Sequence, residues 1–95
     1  MENTRTTRER IADRLREGPA TVSELAAAFS TGRSATLRHL RHVARSVHGT
    51  AEEFLVRPPR CRNCGFEDFD DPLNVPSRCP QCKNEGIEEP AFRIE

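Results

Sequence analysis

Ninety-five residues suit one compact domain or two small modules with marginal cores, and only 35% of them are apolar. No stretch is long or apolar enough to span a membrane, so a membrane partner is not expected. The formal charge of zero hides an asymmetry: residues 1–60 carry 11 arginines against 7 acids and suit a polyanion, whereas residues 61–95 carry 4 basic residues against 8 acids and do not.

Residues 6–17 predict a first helix, with Ile11, Ala12 and Leu15 on one stripe and Gly18-Pro19 as its stop. Thr21-Val22-Ser23-Glu24 is a capping box, Thr21 being the N-cap and Glu24 lying three residues on. It opens a second helix through Leu25-Ala26-Ala27-Ala28 to Phe29, and Ser30-Thr31-Gly32 reads as a turn. A third helix follows over residues 33–47. Leu37, Leu40, Ala44 and Val47 fall on one face of it, with Thr36 and Val43 at the edge. The opposite face carries Ser34, Arg38, Arg41, His42 and Arg45. Short helix, tight turn and basic amphipathic helix make a helix-turn-helix arrangement. A merely solvated face is the plain alternative. His39, His42 and His48 have no further ligand nearby in sequence and are expected at the surface or on phosphates rather than on a second metal.

After this helix only Phe54-Leu55-Val56-Arg57 reads as a strand before Pro58-Pro59. That leaves no room for the return strand of a hairpin. Ala91-Phe92-Arg93-Ile94, after Pro90, reads as a short strand of its own. The expectation is that these two strands pair, with the segment between them inserted where the tip of a wing would be. Phe66 and Phe69 would supply that insert's small core. Its acidic run Glu67-Asp68-Phe69-Asp70-Asp71 is either a polar loop or a surface for a protein partner or second subunit, since it would repel phosphates.

The insert carries the strongest signal. Cys61-Arg62-Asn63-Cys64-Gly65 and Cys79-Pro80-Gln81-Cys82-Lys83 are two Cys-x2-Cys turns, and they hold all 4 cysteines of the chain. Each turn aims two thiolates at one point, and two turns together form a tetrahedral sulfur site of the kind structural zinc adopts. Gly65 permits a positive φ and Pro80 pre-sets a turn. Two disulfides would also use four cysteines, but the first residues show no apolar stretch of secretory type. A reducing, cytoplasmic setting is therefore expected. Iron suits the same ligands, and the turns look like those of rubredoxins. Rubredoxins, however, space their pairs further apart and pack tyrosine and tryptophan around the metal, and this chain has neither residue. The expectation is one structural Zn2+, with Arg60, Arg62, Arg78 and Lys83 beside it to screen its charge or simply solvated.

From Leu25-Ala26-Ala27-Ala28-Phe29 through Ser30-Thr31-Gly32-Arg33-Ser34 to Ala35-Thr36-Leu37-Arg38-His39-Leu40, the chain resembles the winged helix-turn-helix of ArsR-type and related prokaryotic repressors. With Ser77-Arg78-Cys79-Pro80 and Ile87-Glu88-Glu89-Pro90, the whole chain resembles small archaeal predicted transcriptional regulators that fuse this domain to a zinc ribbon. It departs from the pattern at Thr31, where an aliphatic residue is usual, and at Thr36, where valine is. The resemblance implies an α+β fold: a winged helix-turn-helix over residues 1–57, a zinc ribbon over 58–90 at the wing position, and a C-terminal strand over 91–95. It further implies that the third helix enters the major groove. Arg33, Ser34 and Arg38 would lie nearest the base edges, where arginine reads guanine. Arg41, His42 and Arg45 would touch phosphates. The expected function is a DNA-binding transcriptional regulator acting on double-stranded DNA, as a monomer or homodimer. The alternative is an adaptor that docks onto transcription or translation machinery without reading bases. No enzyme is expected, because a filled four-thiolate shell leaves no site for a catalytic water and no phosphate-cradling loop is present.

Overall fold

The computed structural model describes residues 6–95. Its elements are α1 (Thr7–Glu17), β1 (Ala20–Thr21), α2 (Val22–Phe29), α3 (Arg33–Val47), β2 (Phe54–Arg57), β3 (Arg60–Cys61), β4 (Ile87–Glu88) and β5 (Ala91–Ile94). It is a small mixed α+β molecule of three helices, a three-stranded sheet and a cysteine-bearing ribbon. None of the described helices is long and apolar enough to cross a membrane.

Both short leading helices start on reciprocal caps. The Thr21 hydroxyl accepts from Glu24 N–H at 3.2 Å while Glu24 Oε1 accepts from Thr21 N–H at 3.0 Å. Thr6 and Glu9 repeat the arrangement at the head of α1, both bonds being 3.2 Å. The second box was there to be read, since Thr6-Thr7-Arg8-Glu9 has the same spacing as Thr21-Val22-Ser23-Glu24. α2 ends on Ser30 in the left-handed region (φ 49°), and a three-residue turn leads into α3.

Ile11, Leu15, Leu25, Leu40 and Phe92 are fully buried at the centre of the core. Each contributes on the order of 1.5–3 kcal/mol by leaving water. The buried stripe of α3 is Thr36, Leu40, Val43 and Val47. It is rotated from the expected one: Leu37 and Ala44 are only half-buried, and Thr36 and Val43, placed at the edge by sequence, are central. Leu37 packs against the core only in part, as does Leu73 of the insert. Thr36 fits in the stripe because its hydroxyl donates to Gly32 C=O at 2.9 Å, so its own polar group is paired inside the core.

The sheet order is β1-β5-β2, all antiparallel. β5 lies between the other two strands, with Phe54 opposite Ile94 and Val56 opposite Phe92. The rings of Phe54 and Phe92 sit 5.8 Å apart. A strand from the end of the chain is thus built into the core of the helical module, and the ribbon leaves and re-enters between β2 and β5. β1 was not expected from sequence, because two residues are too few to show alternation.

Candidate metal centre and basic helix face

Each cysteine pair sits in a turn closed by the same two backbone bonds. In the first, Cys61 N–H donates to Phe66 C=O (3.0 Å) and Gly65 N–H to Cys61 C=O (2.9 Å). In the second, Cys79 N–H donates to Asn84 C=O (2.8 Å) and Lys83 N–H to Cys79 C=O (2.9 Å). The residue after the second cysteine must turn left-handed for this, with φ 79° at Gly65 and 66° at Lys83. Glycine takes that conformation freely; lysine takes it under strain. The β3–β4 pairing, Cys61 opposite Ile87, folds the second turn onto the first.

The outcome is a tight tetrad. The Sγ atoms of Cys61, Cys64, Cys79 and Cys82 all lie within 4.8 Å of one another. Cys61 and Cys82 are 3.5 Å apart, and Cys64 and Cys79 are 3.6 Å apart. A metal with sulfur at about 2.3 Å in a tetrahedron needs sulfurs roughly 3.8 Å from each other, so this donor set fits one ion. Cys61 and Cys79 are buried and Cys64 is exposed, so the site is anchored inside and open on one edge.

The local field also prepares thiolates. The Asn63 side chain, with Asn84 N–H, pulls Cys82 down to about 6. Burial pushes Cys79 up, but the N–H groups of Cys82 and Gln81 outweigh it and lower it. Cys64 goes the other way: its bond from Phe66 N–H lowers it, yet burial and the three sulfurs around it push it up to about 12. Crowded sulfurs resist a full set of negative charges, and a bound dication removes that resistance. These residues form a zinc ribbon-type metal site. The basic residues around it are engaged elsewhere. Arg60 pairs with Glu67 (3.7 Å), Arg62 with Glu88 (3.8 Å), Arg78 with Glu85 (3.4 Å), and Lys83 Nζ donates to Pro80 C=O (3.2 Å). Phe66 and Phe69 meet edge to face at 5.1 Å, giving the ribbon its apolar contact.

On α3, the predicted residues divide into two groups. Ser34, Arg38 and Arg45 are exposed on the side opposite the buried stripe. Arg33 and Arg41 are held by the ribbon. Arg33 donates to Glu89 at 3.0 Å, and Arg41 donates to Asp71 at 3.0 Å. The last residue of the acidic run therefore faces the basic helix, and it also accepts from Leu73 N–H at 3.0 Å. His42 is half-buried, and the charge of Arg8, followed by burial and Arg45, lowers it from its ordinary value, which favours the neutral ring. That places Arg8 of α1 beside this face, a neighbour no local pattern announces. His39 is half-buried, and its Nδ1 has no hydrogen-bond partner among the described residues.

A family model described as "PF0610-like, N-terminal" matches residues 6–55, and one described as "PF0610 rubredoxin-like zinc beta-ribbon domain" matches residues 58–95. Among solved structures, the solution NMR structure of protein PF0610 from Pyrococcus furiosus is similar at 37% identity and a TM-score of 0.81. That similarity covers 100% of this chain and 93% of that one. No curated protein matches.

Proposed function

Because the chain belongs to the PF0610-like family, we propose that it is a transcriptional regulator binding double-stranded DNA, with a structural zinc ion in its ribbon. One observation carries this reading: the exposed side of α3, with Ser34, Arg38 and Arg45, lies opposite the buried stripe, free to enter a groove. The strand order β1-β5-β2 beside three helices supports reading the first module as a winged helix-turn-helix. In that reading β2 and β5 are the wing hairpin and the ribbon replaces its tip. Ser34 and Arg38 then read base edges and Arg45 meets phosphate, joined by Arg33 at the bases and Arg41 at the phosphates once Glu89 and Asp71 release them. His42 serves as an N–H donor to phosphate.

Zinc is favoured over iron because no tyrosine or tryptophan is available to pack around the metal as in rubredoxins. Cys61, Cys64, Cys79 and Cys82 would complete a tetrahedral shell, which supplies folding energy and leaves no open position for catalysis. We accordingly propose no enzymatic activity, and a reducing, cytoplasmic setting.

The test is fluorescence anisotropy of the zinc-loaded protein with labelled duplex DNA across a salt series. Log affinity falling linearly with log salt is the expected result. No binding at low salt would overturn it. The engagement of Arg33 and Arg41 by Glu89 and Asp71 favours a second reading, an adaptor for a protein partner of the transcription or translation machinery. That reading would then be followed by pull-down.

A further inference from the structure

We propose that the free edge of β2 pairs with the same edge of a second copy of this chain, around a two-fold axis at Leu55. The register leaves that edge ready. Glu53 and Glu95 exchange both main-chain bonds, Glu53 N–H to Glu95 C=O at 2.7 Å and the reverse at 3.0 Å. In an antiparallel ladder such pairs alternate, so Leu55 and Arg57 bond to Arg93 and Ala91, while the N–H and C=O groups of Phe54 and Val56 point away from β5. No main-chain bond outside the strands takes up Phe54 or Val56 among the described residues.

The side chains on this edge are self-complementary. Glu53, Leu55 and Arg57 alternate along β2 on its exposed face. Leu55, 38% exposed, is the only exposed large hydrophobic among the described residues. Neither Glu53 nor Arg57 belongs to any of the ion pairs described above. An antiparallel copy centred on Leu55 sets Phe54 opposite Val56 of the second copy, and Val56 opposite its Phe54. Both are hydrogen-bonded pairs, each exchanging two bonds. Leu55 meets Leu55 in a non-hydrogen-bonded pair, where side chains approach most closely. Arg57 falls opposite Glu53 of the second copy, twice by symmetry, with charges matched. A one-residue slip in register destroys all three matches.

The edge is also built to stop at two copies. Pro58 and Pro59 follow β2 and offer no N–H, which ends pairing at Arg57. The sheet's other edge, β1, is two residues long and offers little to a third copy. The dimer does not depend on how α3 is used, and its test contains no DNA.

The experiment is sedimentation velocity on the zinc-loaded full chain, from about 1 µM to about 1 mM. The wild type is expected to rise with concentration from 10.8 kDa towards twice that mass. Glu53→Arg or Arg57→Glu alone sets like charges together at both symmetric positions and should weaken the dimer about ten-fold or more. The double swap E53R/R57E should restore it. Both substituted sites are exposed, and circular dichroism with metal analysis confirms the fold of each variant. A wild type that stays monomeric throughout overturns the proposal and leaves the edge to an extended segment of another protein. A dimer indifferent to the single swaps, or not rescued by the double swap, overturns it as well.

Discussion

Glu89 Oε1 accepts from Arg33 at 3.0 Å, so the first residue of α3 is tied to a carboxylate 56 residues further along the chain. The Ser23 hydroxyl donates to the same oxygen at 2.8 Å. Burial pushes the Glu89 carboxyl up, but the bonds from Arg33 and Ser23 prevail and hold it below 4.5. A depressed carboxylate stabilises the fold above its unfolded value and loses that contribution as pH falls through the folded one. The clasp is therefore intact at neutral pH and opens only below about pH 4.5. If α3 binds DNA, Glu89→Gln frees the Arg33 guanidinium for a base edge and removes a carboxylate that would repel the phosphates. Affinity should rise about two- to five-fold at low salt, as expected for one exposed pair, and the salt slope should steepen by about 1. Asp71→Asn should do the same through Arg41. Anisotropy at several salt concentrations checks both, and unchanged slopes would remove these acids from the account.

Replacing Cys61 or Cys82 by serine should abolish stoichiometric metal binding and unfold the ribbon, because metal affinity there is folding free energy. The damage should spread. Residues 58–90 bridge β2 and β5, so a floppy ribbon turns a stapled connection into a long loop whose closure costs on the order of 3 kcal/mol. Phe92 sits at the core end of that loop. Thermal unfolding followed on the helices should shift down by several degrees or more. A variant with wild-type melting and no metal would show that the tetrad is not structural. Elemental analysis of the wild type should find one zinc per chain, and a coloured iron-thiolate protein would overturn that assignment.

Much of this was legible in the sequence, for reasons that differ by element. The tetrad showed because Cys-x2-Cys spacing is a local property, and the two turns obey it independently. Ile11 and Leu15 showed through helical periodicity, Thr21 and Glu24 through the capping box. The pairing of β2 with β5 could be inferred because Pro58-Pro59 left Phe54–Arg57 without a return strand. What did not show was long-range. No pattern announces that Glu89 and Asp71 reach Arg33 and Arg41, since both contacts depend on where the ribbon packs. The rotation of the buried face of α3 has a similar cause. Leu37 and Ala44 look central by apolar spacing alone, but Thr36 satisfies its hydroxyl within the helix and can go inside.

The two cysteine turns are alike in hydrogen bonding and unlike in strain, which gives a paired prediction. At Gly65 an added Cβ meets only the Arg60 guanidinium at 3.5 Å, an ordinary contact, so Gly65→Ala is costly through φ alone. The cost should be about 1–2 kcal/mol. Lys83→Gly relieves the same conformation, at φ 66°, and should stabilise the ribbon by about 0.5–1 kcal/mol, less what the Lys83–Pro80 bond contributes. The measurement is zinc release to a competing chelator, faster for G65A and slower or unchanged for K83G. A faster release from K83G would mean that the lysine bond outweighs the strain.

Arg38 and Arg45 lie on the same exposed side of α3, seven residues apart, and should fail differently when removed. If the N-terminal end of α3 leads into a groove, as proposed, Arg38 about one turn in would meet a base edge. Arg38→Ala should cost about 1–3 kcal/mol on a preferred site and much less on random duplex. In the same reading Arg45, near the C-terminal end of α3, would meet phosphate. Its loss should weaken preferred and random sites about equally and reduce the salt slope by about 1. Arg41 would resemble Arg45 only after Asp71 is neutralised, because it is otherwise engaged. Selection of a preferred duplex from a random pool, followed by anisotropy on both, provides the comparison. Equal losses from R38A and R45A on both duplexes would show that α3 follows the backbone without reading sequence.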